Sequence, residues 1–126
     1  MKTFNIKDLV LESKEQISNI DLVYQTFGEL NHEKSNIIWV FHAISGDSNV
    51  LSWWSELFGK SKLHDPSEHF IICVNCIGSP YGSSRPKDAS FPQFTIRDFV
   101  KTYLQLAKHL EINSIHTVIG LSLIHI

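Results

Sequence analysis

No run of this sequence stays apolar for the roughly 18 residues that a membrane-crossing helix needs. Its first residues, Met1-Lys2-Thr3-Phe4-Asn5-Ile6-Lys7-Asp8, hold none of the apolar centre of a secretion signal. A cytoplasmic chain with no membrane partner is the expectation. Charge of one sign is missing too: 11 Lys and Arg against 13 Asp and Glu leave a net charge of −2. That balance offers no electrostatic footing for a nucleic acid. Cysteine is scarce, and the two present, Cys73 and Cys76, form a C-x-x-C inside a β-rich run. Residues three apart on a strand point to opposite faces. Two small buried side chains fit there better than a redox pair, whose first thiol belongs at the start of a helix. The seven His are scattered without ligand spacing, so no metal is expected. Repeats and low-complexity tracts are also absent. What remains is 43% hydrophobic with eight Phe and three Trp, enough to fill the core of one domain across residues 1–126.

Taken in order, Asp8-Leu9-Val10-Leu11-Glu12 and Ile20-Asp21-Leu22-Val23-Tyr24-Gln25-Thr26-Phe27 read as two strands of a hairpin, with Ser18-Asn19 as turn residues. The run Asn36-Ile37-Ile38-Trp39-Val40-Phe41-His42-Ala43 is apolar without alternation, the pattern of a strand covered on both faces in a parallel sheet. A short helix over residues 50–59 follows, closed by Gly59, and then a second buried strand over residues 70–77. The spacing predicts a helix over residues 96–110, with Thr95 as N-cap and Asp98 completing a capping box. Ile96, Phe99, Val100, Tyr103, Leu104, Ala107 and Leu110 form its apolar stripe. Asn113 is the expected left-handed exit, and residues 114–119 form the last buried strand. Buried strands alternating with helices give an α/β fold.

Ligands of open α/β sheets lie at the carboxyl ends of the strands. Three such ends carry small or polar loops: after Ala43, after Ile77 and at Gly120. The last reads strand-Gly120-Leu121-Ser122-Leu123-Ile124, close to the G-x-S-x-G turn that lifts a nucleophilic serine above a sheet, with Ile124 in place of the second glycine. Acyl transfer by such a serine needs two backbone N–H groups aimed at the oxyanion. One belongs to the residue after the serine, Leu123, and the other to a loop after an earlier strand, where Ile44 is the matching position.

These residues resemble a known family. Phe41-His42-Ala43-Ile44-Ser45-Gly46-Asp47 looks like the H-A-L-T-G-D segment of homoserine O-acetyltransferases, and Tyr24 to Asn31 resembles their Y-x-x-x-G-x-L-N. Trp53-Trp54, the Cys73 to Ser84 stretch (C-x-N-x-x-G-x-x-Y-G-S-[ST]), Phe91-Pro92 and Thr95-Ile96-Arg97-Asp98 match further motifs in the same order, so the likeness runs over residues 20 to 120. It implies an α/β-hydrolase fold of which this chain is the N-terminal part of the sheet, ending at the nucleophile turn. It implies an acyltransferase of methionine biosynthesis, in which Ser122 takes an acetyl group from acetyl-CoA as co-substrate, with no bound cofactor, and passes it to L-homoserine. Ile44 and Leu123 would donate the oxyanion N–H groups, and the complete enzyme would be a homodimer.

From residue 121 onward the sequence departs from the family's G-G-S-[LM]-G-G. Leu121 and Ile124 stand where the turn needs close backbone approach. Residues 121–126 are therefore expected to be foreign to the parent gene. The triad order Ser, Asp or Glu, His leaves no acid after Ser122, and His125 lies only three residues away. This stretch alone is expected to be inactive, with its last strand an exposed apolar edge. The competing readings are a serine O-acetyltransferase, a homoserine O-succinyltransferase or an esterase of the same fold, and, from another class, a small non-catalytic α/β binding module.

Overall fold

The computed structural model describes residues 1–87 and 89–121; Ser122, Leu123 and His125 lie outside the described residues. The chain forms β1 (Lys2–Val10), β2 (Gln16–Phe27), β3 (Ile37–Phe41), α1 (Val50–Trp53), β4 (Phe70–Val74), α2 (Ile96–His109) and β5 (Thr117–Gly120). It divides into two compact units, one of Tyr24–Val74 with residues 114–121, the other of Lys2–Val23 with Asn75–Asn113. The long strand β2 contributes to both.

In the first unit the strand order is β2-β4-β3-β5. β4 runs antiparallel to the end of β2, and β3 lies parallel to both β4 and β5. The unbroken apolar runs are buried as their pattern requires: Ile37 to Val40 and all five residues of β4 are shut off from solvent. Ile38, Val40, Val50, Phe58, Ile71 and Cys73 form the core, with Trp53, Trp54 and Leu57 packed against it. Each fully buried side chain of this size contributes about 1.5–3 kcal/mol. β5 is less enclosed than its sequence suggests: alternate residues face solvent, and Val118 is 60% exposed.

The second unit holds β1 and the first part of β2, joined by a turn at residues 11–15 where Leu11 N–H donates to Glu15 O (3.0 Å) and Lys14 takes φ 71°. The turn is not at Ser18-Asn19, which continue β2 on its solvated side. α2 starts as expected, with the reciprocal Thr95–Asp98 capping box formed. Asp98 also accepts from the Glu12 N–H at 2.9 Å and from Lys101 Nζ at 3.3 Å, which ties the turn to the helix start. Burial pushes the Asp98 carboxyl up, but these hydrogen bonds outweigh it and hold the group below the usual carboxylate range. The helix leaves through Glu111 at φ 56°, two residues before Asn113.

Candidate active site

The loop after β3 is fixed before any ligand arrives. His42 is fully buried, and its Nδ1 lies 2.6 Å from the Ala43 carbonyl oxygen. A carbonyl only accepts, so the proton is on Nδ1 and that nitrogen is committed to its own strand end. Gly46 N–H donates to Ala43 O at 2.8 Å and closes a turn around Ile44 and Ser45. A Cβ on Gly46 would sit 3.1 Å from that of His42, which explains a glycine at this point. Beyond the turn, the Asp47 carboxylate accepts from the Asn49 N–H (2.8 Å), and its carbonyl accepts from Trp53 Nε1 (3.0 Å). Gln25 Nε2 donates to the buried Ser48 hydroxyl at 3.1 Å. The Trp53 and Trp54 indoles stack with centroids 5.5 Å apart. The sequence assigns residues 50–59 to one helix, but α1 stops at Trp53; further on, Gly59 N–H donates to His64 O (3.2 Å) and His64 N–H to Leu57 O (2.9 Å).

Within this braced loop Ile44 stands out: it is 56% exposed, and its N–H has no acceptor among the described residues. The neighbouring strand end is that of β5. Phe41 and Gly120 are direct partners in the parallel ladder, and Leu121 N–H donates to Phe41 O at 3.1 Å. The chain that leads to Ser122 therefore emerges beside the loop that carries Ile44. Leu121 is the last residue described, so Ser122 and Leu123 keep their sequence-based assignment.

The third strand end is organised by a residue for which the sequence suggests no role. Asn75 is fully buried. Its N–H donates to Val23 O (2.9 Å), its side-chain amide to Tyr81 O (2.6 Å), and its carbonyl accepts from Ser83 Oγ (2.6 Å). It thereby gathers the glycine-rich loop. An Asn closing an apolar run just before such a loop was the available signal. Neither cysteine is in a disulfide: Cys73 is buried in β4, 3.7 Å from Asp47 O, and Cys76 accepts from the Tyr103 hydroxyl at 3.3 Å. Neither stands at the start of a helix. Among the described residues no three His, Cys, Asp or Glu side chains could share a metal ion, and no helix is long and apolar enough to cross a membrane.

No protein-family model matches the chain. Individual proteins do. A homoserine O-acetyltransferase of Cyclobacterium marinum is 43% identical over 125 residues, spanning 91% of this chain and 36% of that protein. Esterase E22 superposes with a TM-score of 0.86 at 26% identity, covering 97% of this chain and 40% of its own. The homoserine O-acetyltransferase of Bacillus anthracis does so with a TM-score of 0.79 at 29% identity, over 94% of this chain and 39% of its own. The chain thus spans only about a third of the length of the curated relatives it matches. Over that stretch its sequence is similar to homoserine O-acetyltransferases, and its mixed sheet is part of an α/β-hydrolase fold.

Proposed function

We propose that the chain is the oxyanion-loop and nucleophile-strand portion of a cytoplasmic, homodimeric homoserine O-acetyltransferase. The observation that supports this most is the adjacency of two strand ends, Phe41 beside Gly120, with a fixed turn whose Ile44 N–H has no acceptor among the described residues. In the proposed reaction Ser122 Oγ attacks the thioester carbonyl of acetyl-CoA. The carbonyl electrons move onto oxygen, where the N–H groups of Ile44 and Leu123 receive the charge. The C–S bond then breaks, CoA leaves as the thiol with the serine proton, and an acetyl ester remains on the serine. In the second half the homoserine hydroxyl attacks that ester, gives up its proton and departs as O-acetyl-homoserine, regenerating the serine. Proton transfer needs a base oriented by an acid. Neither is assigned in this chain, and in this fold both follow the nucleophile. The 126-residue chain is accordingly expected to be inactive alone.

Esterase activity is the second reading, favoured by the likeness to esterase E22. There water would replace homoserine in the second half-reaction. Incubating the complete gene product with acetyl-CoA, with and without L-homoserine, separates the two. Homoserine-dependent CoA release supports the transferase, and release at the same rate in its absence supports the esterase.

A further inference from the structure

In the second unit a cleft of about 530 Å³ opens beside β2, a size within the range of small-molecule sites. Its polar lining includes Asp21, Arg85, Lys87 and Ser90, and Phe91 and Pro92 supply an apolar wall. The framework beneath it is rigid. Asp21 N–H donates to Ser84 Oγ (2.9 Å), Ser84 N–H returns to Asp21 O (2.8 Å), and Val23 N–H donates to the buried Ser83 hydroxyl (2.9 Å). The chain is therefore held in register along β2 up to the residue before Arg85. Pro86 then fixes its own φ and restricts Arg85 to extended backbone. Two cations two residues apart are thus presented on a stiff segment. Neither Arg85 nor Lys87 has a hydrogen bond or ion-pair partner among the described residues. The one carboxylate described in the lining, Asp21, already accepts from Asn5 Nδ2 at 2.7 Å.

We propose that this cleft binds the phosphates of a nucleotide-bearing ligand. Given the acyl-donor reading above, on which this step rests, the ligand is the 3′-phosphorylated adenosine diphosphate end of CoA. The guanidinium of Arg85 offers a planar fork for phosphate oxygens and Lys87 a second positive charge. The Phe91 ring gives the adenine an apolar face to lie against.

Isothermal titration of the 126-residue chain with CoA, dephospho-CoA, 3′,5′-ADP and inorganic pyrophosphate tests this. Wild type is expected to bind CoA and 3′,5′-ADP, the latter without any pantetheine arm, and both more weakly as salt rises. The Arg85→Ala/Lys87→Ala variant, which removes no hydrogen bond or ion pair among the described residues and should melt as wild type does, is expected to bind them at least about tenfold more weakly. Asp21→Asn is expected to bind more tightly, because one repulsive charge is gone. Binding of CoA that ignores Arg85 and Lys87 would overturn the cleft assignment while leaving the donor reading intact. Pyrophosphate binding that depends on both cations, with CoA no better, would uphold an anion cleft and count against the CoA donor. Absence of binding by any of the four probes would overturn the proposal.

Discussion

Gly28 holds φ +78°, and a Cβ built on it would lie 2.1 Å from His69 O and 2.3 Å from Pro66 O. Backbone oxygens cannot swing aside as a side-chain tip can. Strain of about 1–3 kcal/mol from the dihedral adds to a comparable cost for the overlap. Gly28→Ala should therefore destabilise the chain by about 2–4 kcal/mol, read as a lower urea midpoint; an unchanged midpoint would refute the packing described here. His64 makes a different, pH-dependent contribution. Its ring packs on Phe58 with centroids 4.9 Å apart and edge-on to His69 at 5.8 Å, and its buried Nδ1 has no hydrogen-bond partner among the described residues. Burial first, and then the positive charge that His69 can carry, push the His64 imidazole below its ordinary value. A base with a lowered folded pKa binds its proton more readily in the unfolded chain. Stability should therefore fall as pH drops below about 6.5 and continue to fall until the folded pKa is reached. His64→Phe, which keeps the aromatic contact, should flatten that part of a stability-against-pH curve. An equally steep curve in the variant would rule out His64 as the source.

Helix α2 shows what a periodic pattern does and does not specify. Its start, its length to within a residue and its cap were legible, because Thr95 and Asp98 act locally. Its orientation was not. The seven-residue apolar stripe splits in the structure: Ile96, Val100 and Leu104 are 66%, 45% and 64% exposed, while Tyr103 and Ala107 are buried together with Asp98, Thr102 and Leu106. The capping box and the bonds from Asp98 to Glu12 and Lys101 fix the helix's rotation. Polar residues are drawn inward, a choice that apolar periodicity cannot register. Leu106→Ala should cost about 2–5 kcal/mol in this chain. Leu104→Lys should stay within about 0.5 kcal/mol of wild type. Thermal melts of the two variants would compare them, and a larger loss for Leu104→Lys would mean the helix faces the other way. The hairpin turn failed to show for a related reason. Glu12-Ser13-Lys14 carries no Gly or Pro, and Lys14 takes up the left-handed backbone itself. At β3 and β4 the reading succeeded, because an unbroken apolar run needs cover on both faces however the rest is arranged.

For the whole molecule, the likeness to homoserine O-acetyltransferases carried the fold and the order of the motifs, and the structure adds the pairing that brings Phe41 beside Gly120. Sequence could suggest Ile44 as an oxyanion donor, because such donors sit in small polar loops that follow a strand. It could not show that Gly46, Asp47, Trp53 and Gln25 would brace that loop, since those contacts join residues up to 23 positions apart. The most direct measurement is acetyl transfer from acetyl-CoA to L-homoserine by the complete gene product and, in parallel, by the 126-residue chain. The account predicts turnover for the complete protein, with an acetyl group trapped on the serine two residues past Gly120, and none for the shorter chain. No homoserine acetylation by the complete protein, or Ser122-dependent turnover by the 126 residues alone, would contradict it.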